Sequence, residues 1–192
     1  MEQVRSFVAI ELPDELRLAL TRLQDQLKSE KPTCVKWVDP GGIHLMLKFL
    51  GSIGTGMVGK VTTALEEAVR GISPFHLEAK GLGAFPSLRR VQVVWVGVTG
   101  EVDRLSQLQQ RLESNLAPLG FVPESRPFTP HLTLARLRDG ATPDERQSLG
   151  QLITTTAFDT AYSIDVNSVH LMRSQLTRQG AIYSRIASFE LK

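Results

Sequence analysis

The same pattern, His-Leu-x-Leu, opens two strand-like stretches in different halves of the chain: His44-Leu45-Met46-Leu47 and His131-Leu132-Thr133-Leu134. Side chains on a strand alternate between faces. In both stretches the leucines therefore fall on one face, and the histidine shares the other with the residue two places on. What flanks the pattern also repeats, and this constrains the fold more than any other feature of the sequence. Each half runs strand, helix, loop, His-Leu-x-Leu strand, helix, strand. In the first half, Arg5 to Glu11 is strand-like, and Pro13-Asp14 opens a helix whose Leu16, Leu20, Leu23 and Leu27 recur at helical spacing. A short strand at Cys34 to Val38, the motif strand His44 to Leu50, a helix from about Met57 to Arg70 and a strand at Phe75 to Leu82 follow.

In the second half, Val91 to Val98 is a mostly apolar strand, and Val102, Leu105, Leu108, Leu112 and Leu116 mark a helix. A loop containing Pro and Ser spans Gly120 to Pro130 and leads into the motif strand His131 to Arg136. Pro143-Asp144 opens a helix to about Leu152. Strands are expected near Phe158 to Val166, Ser168 to Arg173 and Ala181 to Ser188, the last two joined by a hairpin loop at Leu176 to Gly180.

This order predicts an α+β fold in which all 192 residues form one bilobal domain, with duplicated halves at roughly 1–85 and 90–192. Two pseudo-symmetric lobes, each an antiparallel sheet with helices on its outer face, would surround a central cleft. A pseudo-twofold axis then sets His44 and His131 across that cleft. Alternation places His44, Met46 and Lys48 on the front of the first strand, with Leu45, Leu47 and Phe49 in the core. It places His131, Thr133 and Ala135 on the front of the second. Arg136 falls on the back unless a bend or bulge intervenes.

Composition narrows the function classes. The longest apolar run, Val91 to Val98, is too short to cross a bilayer. The N-terminal MEQVRSFVAI has an acidic residue and no long apolar stretch, unlike a signal peptide. No membrane association is expected. Cys34 is the only cysteine, so no disulfide closes within the chain and no cysteine-based zinc site is available, which fits a reducing cytoplasm. A net charge of +2 is too weak to signal duplex DNA as a partner, although a local basic patch is compatible with it. Nothing in the sequence reports on assembly, and a monomer is the expectation.

Two imidazoles in one cleft suit in-line phosphoryl chemistry. One takes a proton from the attacking water, and the other gives a proton to the leaving oxygen. A hydroxyl two residues along can hydrogen-bond a non-bridging phosphate oxygen.

The chain resembles the 2H phosphoesterase superfamily, which carries two H-x-[S/T]-x motifs. Within it, the chain is similar to the RNA 2′,3′-cyclic phosphodiesterases, also known as LigT or 2′-5′ RNA ligase. The matching text is FVAIELP at Phe7 to Pro13, Trp37, IHLMLKFLG at Ile43 to Gly51, FP at Phe85-Pro86, VVWVGV at Val93 to Val98, PHLTLAR at Pro130 to Arg136, and S-x-L-x-x-x-G-x-x-Y from Ser174 to Tyr183. It covers nearly the whole chain in the family's order.

The resemblance implies an enzyme that opens a 2′,3′-cyclic phosphate, on an RNA end or a nucleoside, to a 2′-phosphate. It implies no cofactor and no metal. Some members also join tRNA halves through a 2′-5′ bond, the reverse chemistry. By resemblance, His44 protonates the leaving 3′ oxygen, His131 activates water, Thr133 binds phosphate, and Arg136 occupies a position where the family often has a phosphate-contacting arginine. Met46 departs from the family's Thr or Ser and cannot donate a conventional hydrogen bond. Lys48 is the candidate to supply compensating charge on the same face.

The remaining candidates have plainer readings. His76 lacks a motif and reads as structural. His170, in VHLMRS, repeats the letters but stands where the duplication predicts no site. Trp37 and Phe85 could stack a base, Trp37 more naturally as packing. Arg89 and Arg90 read as a solvated turn or as contacts to an RNA backbone, and Cys34 as buried and inert. Two rival functions are a catalytically weakened RNA- or nucleotide-binding module on the same fold, and a metal hydrolase using the two histidines as ligands. The second lacks an acidic cluster near either motif.

Overall fold

The computed structural model describes residues 2–192. Its strands are β1 (Gln3–Ile10), β2 (Val35–Trp37), β3 (Leu45–Gly54), β4 (Phe75–Phe85), β5 (Val93–Gly100), β6 (His131–Leu137), β7 (Tyr162–Val166), β8 (Ser168–Thr177) and β9 (Gly180–Glu190). Its α-helices are α1 (Asp14–Ser29), α2 (Thr55–Val69), α3 (Val102–Leu116) and α4 (Pro143–Thr155). The helices form where the periodicity places them. In α1, Leu16, Leu20, Leu23 and Leu27 are buried, Asp14 and Glu15 face the positive end of the helix dipole, and Lys28 sits in the last turn. α4 begins with a capping box: the Thr142 hydroxyl accepts from the Glu145 amide, and the Glu145 carboxylate accepts from the Thr142 amide. β7 starts at Tyr162, four residues after the expected Phe158.

Two antiparallel sheets result. The first has strand order β3-β1-β8-β9 and the second β2-β6-β5-β4-β7. The sheets do not coincide with the halves of the chain: β4 of the first half lies in the second sheet, and β8 and β9 of the second half lie in the first. Helices cross over as well. α1 follows β1, yet packs on the second sheet, where the buried Gln24 amide donates to the carbonyls of Val38 and Leu134. α3 follows β5, yet packs with α2 and against β3 of the first sheet. β1, β3 and β8 correspond in this scheme to β5, β6 and β4. One apolar cluster runs from Val8 and Leu45 through the helices to Val94 and Leu132, so a single core backs both sheets.

β3 and β6 touch where the two sheets meet. His44 immediately precedes β3 and His131 opens β6, so the two histidines stand at equivalent positions of the two adjoining strands. No helix among the described residues is long and apolar enough to cross a membrane.

Simple alternation fails in both motif strands at the same place. In β3, Met46 pairs with Ala9 and Lys48 with Val8, so Leu47 is an extra residue in a β-bulge. In β6, Thr133 pairs with Trp95 and Ala135 with Val94, so Leu134 is the extra residue. Each bulge puts two consecutive side chains on the core side and returns the next one to the front. Arg136 thereby joins His131 and Thr133 on the front of β6. The same device reverses two expectations in β3. Lys48 turns into the core and is only 9% exposed, whereas Phe49 leaves the core and stands on the front, 46% exposed.

Candidate active site

The two histidines are held alike. His44 follows a 3₁₀ turn at Pro40–Gly42, in which the Asp39 carboxylate accepts from the Gly41 amide. The His44 Nδ1–H donates to the carbonyl of Gly42, two residues back, at 2.9 Å. The His131 Nδ1–H donates to the carbonyl of Thr129, also two residues back, at 2.7 Å. A carbonyl can only accept, so each bond fixes the proton on Nδ1 and leaves Nε2 to exchange a proton with a ligand.

Aromatic rings fix the ring planes. Phe7 and Tyr183 meet His44 edge-on, with centroids at 5.5 and 5.3 Å. Phe85 meets His131 edge-on at 4.9 Å and leans on Trp95 at 5.1 Å. Gly42 must be glycine for the first of these cages, because a Cβ there would come within 2.5 Å of the Tyr183 ring.

Burial and the charges around His44 shift its protonation. β1 and β3 pair Ile10 with Leu45, so Glu11 is the next residue along opposite His44 on the front. Glu11 is ion-paired to Arg185 of β9. Burial raises the Glu11 carboxyl, but the Arg185 bond and the charges of His170, Arg185 and His44 outweigh it and hold it below the usual range. Burial lowers the His44 imidazole. The Gly42 carbonyl and Glu11 push it up, whereas Arg17 and His170 push it down, and the net is a lowered value.

Residues 12–178 match the family model described as the 2′-5′ RNA ligase superfamily. The chain belongs to this superfamily. The RNA 2′,3′-cyclic phosphodiesterase of Methanothermobacter thermautotrophicus is 37% identical over 189 residues, covering 98% of this chain and 100% of that protein. The enzyme of the same name from Aeropyrum pernix is 34% identical over 173 residues, 90% of this chain and 94% of its own length. Among solved structures, Escherichia coli LigT complexed with 3′-AMP aligns with a TM-score of 0.77 at 25% identity, covering 100% of this chain and 99% of that one. The Thermus thermophilus protein TT0787 aligns with a TM-score of 0.76 at 27% identity and 97% coverage of both.

The superfamily's two motifs thus lie on adjoining strands, and the other sequence candidates can be placed around them. Thr133 is half-buried and Arg136 exposed on the front of β6. Met46 faces the front of β3 and is 45% exposed. Lys48 is not part of the site. Its ammonium donates to Glu113 Oε2 of α3 and to the carbonyl of Val122, both at 2.7 Å. It anchors the loop that leads to His131, and its charge is spent on Glu113.

His170 lies on the front face of the first sheet, in register with Ala9, but is 5% exposed and hydrogen-bonded between the hydroxyls of Ser168 and Ser188. Burial lowers its pKa. His76 is half-buried and bound to Asp165 on the β4–β7 edge. Trp37 pairs with Ala135 on the core side and packs there, with Lys28 over its ring. Phe85, read from the sequence as a ring that could stack a base, meets the His131 ring edge-on. Arg89 and Arg90 occupy an exposed turn. Cys34 is half-buried, and its thiol donates to Glu145, which raises its pKa.

Sequence reasoning missed Phe7, Glu11 and Tyr183 as neighbours of His44, and Arg185 as the partner of Glu11. Phe7, Glu11 and Tyr183 stand inside quoted motifs. Only the register of four strands could have brought them together.

Proposed function

We propose that the protein opens the 2′,3′-cyclic phosphate of an RNA end, or of a nucleoside, to a 2′-phosphomonoester without a metal. The observation that carries this reading is the matched pair of imidazoles, each held at Nδ1 by its own backbone and each with Nε2 free. The similarity to RNA 2′,3′-cyclic phosphodiesterases over nearly the full chain supports the substrate class. Among the described residues, no three His, Cys, Asp or Glu side chains gather as a metal-binding group.

His131 Nε2 takes a proton from water as the water oxygen attacks phosphorus. The bond from phosphorus to O3′ breaks, and O3′ keeps the electron pair. His44, protonated beforehand, delivers its Nε2 proton to O3′. The phosphate remains on O2′. His131 ends protonated and His44 neutral, so the pair resets by passing one proton through solvent. Thr133 and Arg136 hold the non-bridging oxygens as charge builds in line with the leaving group. A 5′-hydroxyl in place of water would give a 2′-5′ linkage by the same steps.

The negative charge of the bound phosphate offsets the burial that lowers His44, and so favours its acid form. The test is turnover of a nucleoside 2′,3′-cyclic phosphate with and without a chelator, with the product identified by phosphorus NMR. Chelator-insensitive release of a 2′-phosphate is expected. Binding without turnover would favour a non-catalytic nucleotide-binding module, and chelator-abolished turnover a metal hydrolase.

A further inference from the structure

The matched bulges allow the two motif strands to be compared side chain by side chain. His44 corresponds to His131, Met46 to Thr133, Lys48 to Ala135 and Phe49 to Arg136. Behind the histidine, the front of β6 offers a hydroxyl and a guanidinium. The front of β3 offers a thioether and a phenyl ring. Both are exposed, Met46 by 45% and Phe49 by 46%, in a chain whose other strand-borne apolar residues are mostly buried. Phe49 also has a cation beside it: the Arg5 guanidinium of β1 lies 4.7 Å from the ring centroid. Arg5 lies over the ring and still leaves Phe49 nearly half exposed on the front of β3.

We propose that Phe49 is a stacking platform for a second nucleobase, that of the nucleotide upstream of the one carrying the cyclic phosphate, with Arg5 facing the phosphodiester between them. This rests on the cyclic phosphodiesterase reading above and extends it to an RNA path. The polar β6 front holds the reacting phosphate. The apolar β3 front takes the nucleoside side, and the RNA leaves the cleft along β3 and β1. Phe49 lies five residues along the strand from His44, or roughly 13–16 Å at the usual rise with one bulge. That is beyond the terminal nucleoside and within reach of the next base.

A phenyl ring with an arginine beside it binds any base by its π-face, while the arginine supplies charge to the backbone, so the contact reads RNA without reading sequence. The same asymmetry places the ribose, and with it O3′, on the His44 side. It thereby supports His44 as the acid and His131 as the base, which pseudo-symmetry alone leaves open.

The experiment compares KM for a nucleoside 2′,3′-cyclic phosphate with KM for a trinucleotide ending in the same group. Phe49→Ala should raise the trinucleotide-to-nucleoside KM ratio about 5- to 100-fold, the range set by one base–aromatic stack. Phe49→Trp should restore the wild-type ratio. Arg5→Gln should raise the ratio and flatten its dependence on salt. A ratio unchanged in Phe49→Ala, or equal losses on both substrates, would overturn the platform. A wild-type protein that hydrolyses neither substrate would bring down the functional reading itself, and the platform with it.

Discussion

Met46 is the residue at which the two motif strands part. It is exposed on the front of β3 where its counterpart Thr133 presents a hydroxyl, so in the proposed reaction the phosphate is gripped from the Thr133 and Arg136 side. A hydrogen bond to a charged group contributes about 1.5–3 kcal/mol. Met46→Thr should therefore raise kcat on a nucleoside cyclic phosphate by up to roughly a hundredfold, and Thr133→Val should lower it by about ten- to a hundredfold. An unchanged or lowered kcat for Met46→Thr would mean that position 46 faces only the ribose, out of reach of the phosphate oxygens. His44 gives a second prediction. Its lowered pKa displaces its limb of the kcat/KM–pH profile toward acid relative to an ordinary imidazole. Glu11 opposes that displacement against Arg17 and His170, so Glu11→Gln should move the limb further toward acid. A limb that stays put, or moves toward alkali, would contradict the contact. At this scale the sequence was informative where letters carry chemistry: both histidines and Thr133 stand on the front as read. It misplaced Lys48 and Phe49, because a bulge leaves no mark in a pattern of alternating apolar residues.

The bulged motif strands are the elements on which the site depends. Each shortens the strand by one residue against its partner and re-aims the side chain that follows. In β6 this brings Arg136 to the front, and in β3 it drives Lys48 inward onto Glu113. That ion pair is largely buried, with side chains 8% and 13% exposed, and Lys48 also fastens the Val122 carbonyl in the loop before His131. Removing one partner strands the other charge. Lys48→Ala should cost about 3–5 kcal/mol by urea denaturation, and replacing Lys48 and Glu113 together with Met and Leu should cost much less. Equal losses in the single and double variants would show that the charge pairing is not what matters. Helices were legible because leucines at i, i+3 and i+4 report burial directly. Strand limits were less so: β3 continues to Gly54 past the expected Leu50, because its last residues still pair with β1.

At the scale of the molecule, the duplication was legible as a repeated order of elements, and two sheets with helices behind them follow from it. The exchange between halves was not. Nothing local to Phe75–Phe85 says that it pairs with β5 rather than with the strands before it, and nothing in α1 says that it backs the second sheet. Sheet membership is decided by how the whole core closes. The consequence is structural: each sheet is built from both halves, so β3 and β6 are tied together through a shared core. The measurement that tests this account most directly is kcat for wild type, His44→Ala and His131→Ala on one nucleoside 2′,3′-cyclic phosphate, with circular dichroism to confirm folding. General acid–base catalysis contributes about 10²–10⁴-fold per group, so each variant should fold and lose at least that order of turnover. A folded variant of either histidine with near-wild-type kcat would contradict the two-histidine mechanism.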